Sequence, residues 1–229
     1  MIDLRLGRWQ DTLSDVEHID SVITDPPYGA RTHRGWDTAT EQVVGVTGQK
    51  TRNELGYHAF TPRMVEELVG ELCPRVTGWW CAMTSHDLVP SWESALEAQN
   101  MYTFAPLPII QKRPRLSGDG PASWAVWMVV ARRRNRDIAR WSCLPGMYEG
   151  PTVKSGGVTG AKPIDMMRNI VRDYTRPGWL VVDPFAGSGT TLLAAAMEGR
   201  ASIGCEVDPS THAIASQRLH REYQATLFP

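Results

Sequence analysis

The sequence predicts an α/β fold with a mainly parallel sheet, and three observations support this. Short apolar, β-branched or aromatic runs alternate with amphipathic stretches of helical length, as in sheets with crossover helices. One close pair of runs flanks a turn region at Gly118-Asp119-Gly120, which is typical of an antiparallel hairpin at one edge. The length of 229 residues, with 42% hydrophobic and 21% charged residues, fits one globular domain over 1–229.

The predicted strands and helices follow from the spacing of apolar residues. The strands are expected at 2–6, 19–24, 77–84, 101–111, 122–132, 179–183 and 201–206. The helices are expected at 62–72, 87–99, 163–174, 190–198 and 209–223. Two of these helices carry proline at the first position, Pro62 after Thr61 and Pro209 after Asp208, which is a common helix start. The stretches 30–59 and 135–160 fit neither pattern, and loops of this length are usually functional or disordered.

The composition excludes several classes of protein. The first residues lack the basic and apolar segments of a secretory signal, and the longest apolar run, 124–131, is too short to span a bilayer. The four cysteines form no CxxC pair and have no matching histidine pairs, so we expect neither a metal site nor a disulfide framework. The sequence therefore predicts a soluble, cytoplasmic protein.

Positive charge is concentrated in one segment although the net charge is −1. Residues 111–140 contain eight basic and two acidic side chains. A basic patch on an acidic body can hold a polyanion in a chosen place, and a solvated face paired with carboxylates is the alternative. The candidate contacts to nucleic acid in this segment are Lys112, Arg113, Arg115, Arg132, Arg133 and Arg134.

The first candidate loop follows the predicted strand 19–24 and reads TDPPYG. Its two prolines fix φ and remove two backbone donors, so the loop is stiff and its carbonyls are free to accept. Asp25 and the Pro26 carbonyl can both accept hydrogen bonds from an exocyclic NH2 group, which would direct the nitrogen lone pair at an electrophile. Tyr28 can stack on a base swung out of a duplex. The alternative is a proline-rich turn that Asp25 merely caps.

The second candidate loop follows the predicted strand 179–183 and reads DPFAGSGTT. A strand, a glycine-rich turn and a helix in succession can hold a nucleotide-like ligand close to the backbone. The loop lacks the lysine of a P-loop, and Leu192 stands where a dinucleotide-binding loop has its third glycine. Glu206 ends the next strand and is placed to bind ribose hydroxyls. Taken alone, this loop indicates a mononucleotide-type cofactor but does not identify which one.

Together the two loops resemble the motifs of DNA amino-methyltransferases, and their order along the chain is similar to the permuted β class. The resemblance covers most of the chain. Gly160-Ala161-Lys162-Pro163 is similar to a motif that helps bind S-adenosylmethionine in that family. The stretch from Ile203 to Pro209 resembles the segment that contacts the ribose and adenine of the cofactor.

The resemblance implies a Rossmann-like fold with a seven-stranded, mostly parallel sheet and an antiparallel edge hairpin. The implied catalytic residues are Asp25, Pro26, Pro27 and Tyr28. The implied contacts to S-adenosylmethionine are Asp25, Lys162, Asp183, Phe185, Gly187, Gly189, Thr190 and Glu206. Double-stranded DNA is the expected partner, without a metal, and a homodimer is expected only by analogy. A short target-recognition insert is expected at 133–160, together with a DNA-contacting loop at 30–60.

The expected product is N6-methyladenine, because adenine enzymes of this family usually open the catalytic motif with aspartate. The leading alternative is N4-methylcytosine, where serine is more frequent in that position. A C5-cytosine enzyme needs a Pro-Cys nucleophile, and the sequence offers only the reversed order at Cys73-Pro74. Three weaker alternatives do not explain the paired motifs in this order. They are an enzyme that methylates a protein glutamine, a nicotinamide oxidoreductase and a non-catalytic DNA-binding module.

Overall fold

The structure is a computed structural model that describes residues 1–30, 59–117, 120–134, 143–150, 153–155 and 158–227. The strands are β1 Ile2–Leu6, β2 Ile19–Thr24, β3 Val76–Thr84, β4 Met101–Thr103, β5 Leu107–Ser117, β6 Gly120–Arg133, β7 Tyr148–Glu149, β8 Val153–Ser155, β9 Val158–Ala161, β10 Leu180–Asp183 and β11 Ala201–Glu206. The α-helices are α1 Trp9–Thr12, α2 Pro62–Leu72, α3 Val89–Ala98, α4 Ile164–Tyr174, α5 Thr190–Met197 and α6 Pro209–Leu227.

The main sheet has the strand order β1-β11-β10-β2-β3-β6-β5-β7, and β4 pairs with β6. The first five strands in this order, which end with β3, are mutually parallel. Strand β6 runs antiparallel to β3 and to β5. The predicted α/β fold with an antiparallel edge hairpin is therefore confirmed. Two very short strands, β4 and β7, extend the seven that the resemblance implies.

The predicted strand at 101–111 is interrupted in the structure. Met101–Thr103 and Leu107–Ser117 both pair with β6, and the Phe104 amide still donates to the Val130 carbonyl at 3.0 Å. Pro106 lies in the interruption, and proline has no N–H for a sheet ladder. The sequence did not predict helix α1, the short 3-10 helix Cys73–Arg75, strand β7 or the small β8–β9 hairpin.

Helices cover both faces of the sheet because successive side chains of a strand point to opposite faces. On one face, Val22, Trp80 and Val129 pack in a cluster with apolar residues of α2 and α3. On the other face, Ile23, Cys81 and Val130 pack in a second cluster with residues of α4 and α5. Strands buried on both faces read as continuous apolar runs, which explains why β2 and β3 show little alternation.

Two helix starts confirm the predicted capping. The Thr61 hydroxyl accepts from the Met64 amide at 3.3 Å, and Pro62 opens α2. The Asp208 carboxylate accepts from the Thr211 amide at 2.7 Å, and Pro209 opens α6. An N-cap of this kind satisfies one of the unpaired amides in the first turn.

The two long segments that fit no regular pattern fall largely outside the described residues. Of the expected loop at 30–60, the structure describes Ala30, Ala59 and Phe60. Of the expected insert at 133–160, it describes 133–134, 143–150 and most of the β8–β9 hairpin. Within the described ranges, no helix is long and apolar enough to cross a membrane.

Candidate active site

The two candidate loops begin side by side at the carboxyl edge of the sheet. Val181 and Val182 of β10 pair in parallel with Ser21 and Val22 of β2, so both strands end at nearly the same height. In open α/β sheets, ligands bind in the crevice outside these strand ends. We call residues 25–29 the catalytic loop, because the sequence predicts the catalytic residues there, and residues 184–189 the glycine loop.

The catalytic loop is held against the end of β3. The Gly29 amide donates to the Ser85 hydroxyl at 2.9 Å, and the Phe60 amide donates to the Tyr28 carbonyl at 3.0 Å. A Cβ at position 29 would lie 2.5 Å from a carboxylate oxygen of Asp87. A side chain at position 29 would therefore force the Asp87 carboxylate to move.

Three polar side chains converge at the catalytic loop. The Lys162 ammonium donates to the Asp25 carboxylate and, at 3.0 Å, to the Tyr28 hydroxyl. The Tyr28 hydroxyl donates to the other Asp25 oxygen at 3.1 Å. The same ammonium lies 5.3 Å from the centroid of the Tyr28 ring, within range of a cation–π interaction. Lys162 thus contacts two of the predicted catalytic side chains, although 137 residues separate it from Asp25.

The protonation states of this cluster follow from burial and charge. Burial and the Asp25 charge raise the pKa of Tyr28 to about 12, so the phenol stays protonated near neutral pH. Burial lowers the pKa of Lys162, but the charge and hydrogen bonds of Asp25 and Tyr28 outweigh burial, and the net pKa is raised. The cluster therefore offers a neutral hydroxyl and a persistent ammonium beside the carboxylate.

The glycine loop makes a tight turn into helix α5. Gly187 and Gly189 have φ values of 50° and 76°, in the left-handed region that glycine adopts without a steric cost. The Gly189 amide donates to the Ala186 carbonyl at 2.7 Å and closes the turn. On the neighbouring strand, a Cβ at Gly204 would lie 3.0 Å from the Asp183 carbonyl, so β11 packs closely against the start of the loop.

Glu206 lies at the end of β11 and contacts the glycine loop. Its carboxylate accepts from the Gly187 amide at 3.1 Å and from the Asp208 amide at 2.8 Å. The side chain is half-buried, so part of the carboxylate remains accessible. This places a fixed acceptor beside the turn, where the sequence predicted a ribose contact.

Arg218 was not among the predicted site residues, yet it supports the glycine loop from beneath. Its guanidinium is 5% exposed. It donates to the Ser188 carbonyl at 3.0 Å and to the Thr190 hydroxyl at 2.8 Å. The resemblance extends to Arg218 in the helix after the ribose-contacting stretch, but its contact with the loop depends on how α6 packs against it.

Asp183 is predicted to contact the cofactor, and the structure places it beneath the loops. Its side chain is 1% exposed. One carboxylate oxygen accepts from the Thr24 hydroxyl at 2.7 Å and from the Phe185 amide at 3.1 Å. Burial raises its pKa to about 6, although hydrogen bonds from Thr191 and Thr24 act in the opposite direction.

Phe185 and Thr190, two further predicted cofactor contacts, differ in exposure. The Phe185 ring is half-buried and packs edge-on against Phe60, with 5.4 Å between ring centroids. Thr190 is 5% exposed, and its hydroxyl is engaged by Arg218. Phe185 therefore offers an apolar surface to a ligand, whereas the Thr190 hydroxyl holds the loop.

The structure does not bring the predicted basic residues together. Arg132 pairs with Trp79 near the beginning of β3, so Arg132, Arg133 and Arg134 lie toward the amino edge of the parallel strands. The Arg133 guanidinium donates to the carbonyls of Val76, Gln99 and Cys73, which makes it a structural residue. The Arg132 guanidinium lies 5.7 Å from the Tyr102 ring centroid, and that of Arg134 lies 5.6 Å from it.

The other three basic residues lie at the opposite edge, beyond the carboxyl ends of the parallel strands. Thr84, the last residue of β3, pairs with Trp127, and the hairpin of β5 and β6 continues beyond that point. Lys112, Arg113 and Arg115 lie on this extension, at the carboxyl edge, although their side chains are outside the described part of the structure. We call residues 109–117 and 120–126 the hairpin arm. Trp124 of the arm is 52% exposed.

Among the described residues, no group of three His, Cys, Asp or Glu side chains could hold a metal ion.

The sequence matches a family model described as DNA methylase over residues 110–217. The Type II methyltransferase M.HindIII of Haemophilus influenzae is 30% identical over 51% of this chain and 40% of its own length. The chain thus spans less than half the length of the curated relatives that it matches first.

Solved structures share the fold. The crystal structure of the M1.HpyAVI-SAM complex has a TM-score of 0.67 at 20% identity, covering 95% of this chain and 100% of that one. The PvuII DNA methyltransferase (cytosine-N4-specific) has a TM-score of 0.64 at 15% identity, covering 99% and 92%. These similarities in fold extend over nearly the whole chain.

Proposed function

We propose that this chain, a relative of the DNA amino-methyltransferases, transfers a methyl group from S-adenosylmethionine to an exocyclic amino group of DNA, with N6 of adenine as the acceptor. The observation that carries the proposal is the adjacency of the two loops. Thr24 precedes the catalytic Asp25, Asp183 precedes the glycine loop, and the 2.7 Å hydrogen bond between Thr24 and Asp183 joins them. A ligand on the glycine loop would therefore lie beside the acceptors for an amine.

The residues at the glycine loop fit S-adenosylmethionine. The turn at Gly187 and Gly189 brings backbone close to a ligand, and Glu206 provides a carboxylate for ribose hydroxyls. Phe185 offers an apolar surface beside the turn. When bound, this cofactor supplies a methyl group activated by a sulfonium.

The residues of the catalytic loop have distinct roles in this proposal. Asp25 accepts a hydrogen bond from the target amine and stabilises the positive charge that develops on its nitrogen. The Pro26 carbonyl is the second acceptor, and Pro27 stiffens the loop. The protonated Tyr28 stacks on the flipped base. Lys162 holds Asp25 and Tyr28 in one arrangement through its two hydrogen bonds.

Aspartate favours adenine N6 over cytosine N4 in our proposal, because a carboxylate stabilises the developing cation more strongly than the neutral hydroxyl that many N4-cytosine enzymes carry. The test is to incubate the protein with DNA and a donor carrying a labelled methyl group, digest the DNA and identify the labelled nucleoside by mass spectrometry. Label in N6-methyladenine is expected. Label in N4-methylcytosine would overturn the choice of base but not the reaction, and no label in any DNA would overturn the proposed function.

Asp25 variants provide the control for that experiment. Asp25→Ala removes the carboxylate and should abolish labelling of either nucleoside. A matched control is Asp11→Ala, an exposed acidic residue of α1 outside the site, which should label DNA like the parent protein. If Asp25→Ala retained the parent rate, the catalytic loop would have been assigned wrongly.

The hairpin arm is our proposed contact to the DNA backbone. Its strand β5 carries Lys112, Arg113 and Arg115 on the same edge as the catalytic loop. A two-stranded ribbon fits the major groove, and cations near phosphates give affinity that depends on salt. The expected recognition segments at 30–60 and 133–160 border the site in sequence, and we propose that they read the bases while the arm holds the backbone.

The arm can be tested against a built-in control. Replacing Lys112, Arg113 and Arg115 with alanine should lower DNA affinity on all sequences, and each lost phosphate contact should reduce the slope of log affinity against log salt by about 0.9. The double replacement of Arg132 and Arg134 removes two cations from the amino edge and should leave the slope unchanged. The reverse pattern would place the DNA on the opposite edge of the sheet.

A further inference from the structure

We propose that Thr24 and Asp183 form a clamp that sets the distance between the catalytic loop and the glycine loop, and that Thr24 is a positioning residue for methyl transfer. This inference rests on the proposed function, because it concerns the same two loops. Thr24 opens the TDPPYG string but is not among the predicted catalytic or cofactor-binding residues, since it lies within β2 and precedes Asp25.

The clamp joins three elements through one buried carboxylate. The Thr24 hydroxyl donates to an Asp183 oxygen at 2.7 Å from the end of β2. The Phe185 amide donates to the same oxygen at 3.1 Å from the glycine loop, and Thr191 adds a hydrogen bond from the first turn of α5. Thr24 is 0% exposed and Asp183 is 1% exposed, so water does not compete for these bonds.

The parallel pairing of β10 with β2 joins Val181 to Ser21 and Val182 to Val22. The Thr24–Asp183 bond lies beyond these pairs, directly before both loops begin, and we infer that it sets the spacing of the two loops there.

The spacing matters because methyl transfer requires the reacting atoms to be held about 3–3.5 Å apart and in line. A misplacement of about 1 Å can slow such a reaction about 100-fold. Loss of the Thr24 hydroxyl leaves the other hydrogen bonds of each loop in place. These include the Gly29 amide to the Ser85 hydroxyl and the Gly187 amide to the Glu206 carboxylate. Binding of each ligand should therefore survive while the rate of transfer falls.

The clamp is strongest with the ionised carboxylate, so its strength depends on pH. Burial raises the pKa of Asp183 to about 6. The titratable groups that act on it from neighbouring elements are Asp25 of the catalytic loop and the Cys205 thiol of β11. Protonation below about pH 6 weakens Asp183 as an acceptor and should loosen the clamp.

The test compares Thr24→Val, which keeps the shape and loses the hydroxyl, with Thr24→Ser, which keeps the hydroxyl. Thr84→Val is a matched control, because Thr84 is a buried hydroxyl at the end of β3 that accepts from the Trp92 indole at 3.1 Å. Single-turnover transfer of labelled methyl is measured with saturating S-adenosylmethionine and DNA, and the dissociation constant of the donor by calorimetry.

The expected result is a 10- to 100-fold lower transfer rate for Thr24→Val, within the range for a misplaced reactive geometry, with a dissociation constant within about threefold of the parent. Thr24→Ser and Thr84→Val should stay within about threefold in rate. Equal rates for Thr24→Val and Thr84→Val would overturn the clamp while leaving the proposed function intact.

A second measurement does not depend on activity. The Asp183 carboxyl carbon is titrated by NMR in the parent and in Thr24→Val, and the variant should titrate at a higher pH because the ionised form has lost a donor. An unchanged titration would overturn the clamp even if the parent protein proved inactive on DNA. Absence of methyl transfer by the parent would instead count against the proposed function alone.

Discussion

Replacing Asp183 with asparagine should make the protein more stable at neutral pH. Asparagine keeps a side-chain oxygen that can accept from Thr24 and from the Phe185 amide, but it carries no charge. The native carboxylate is 1% exposed, and burial raises its pKa to about 6 from the ordinary 3.8. A raised carboxyl pKa means that folding disfavours the ionised form.

The size of the effect follows from the two pKa values. Between about pH 4 and pH 6 the folded protein retains a proton that the unfolded chain has released, so the contribution of this group to stability falls as pH rises. The destabilisation is absent at pH values below the pKa of Asp183 in the unfolded chain, and it is complete at pH values above its pKa in the folded protein. A factor of ten in ionisation corresponds to about 1.36 kcal/mol, so the difference between 3.8 and about 6 amounts to about 3 kcal/mol.

The assay is chemical denaturation of the parent and of Asp183→Asn from pH 4 to pH 8. The difference in unfolding free energy should grow in favour of the variant by up to about 3 kcal/mol across this range. Asp11→Asn makes the same substitution at an exposed position and should show no such growth. A difference that stayed constant with pH, or grew in favour of the parent, would refute the assignment of a buried, costly charge at Asp183.

Three further predictions concern other parts of the site. Glu206→Ala should weaken the binding of S-adenosylmethionine by about 1.5–3 kcal/mol per lost charge-assisted hydrogen bond. Unchanged affinity in calorimetry would show that Glu206 does not contact the cofactor. Gly29→Ala should lower both thermal stability and methyl transfer, because its Cβ meets Asp87 at 2.5 Å; the second change Asp87→Ala should restore stability if that contact is the cause. Lys162→Met should slow methyl transfer at least tenfold, since the ammonium that donates to both catalytic side chains is lost, and a parent-like rate would show that their arrangement does not depend on it.

The sequence predicted the placement of both loops because each directly follows an apolar strand. The carboxyl ends of parallel strands meet at one edge of a sheet, so Asp25 and Gly187 had to lie on the same side once β2 and β10 were parallel. Helix starts at Pro62 and Pro209 were equally local, since a capping side chain and a fixed φ act within one turn.

The basic segment shows what sequence alone could not place. Lys112 and Arg132 belong to one run of positive charge, yet the antiparallel turn between β5 and β6 sends them to opposite edges of the sheet. Charge along the chain carries no information about strand direction. The Arg133 guanidinium donates to backbone carbonyls that only the folded chain brings within reach.

The contacts that complete the site were decided by tertiary structure. Lys162 reaches Asp25 across 137 residues, Arg218 reaches Ser188 across 30, and Thr24 reaches Asp183 across 159. Motifs identified the loops because their backbone conformation is encoded locally by glycine and proline. The partners of those loops depend on sheet register and helix packing, which arise from the whole buried core.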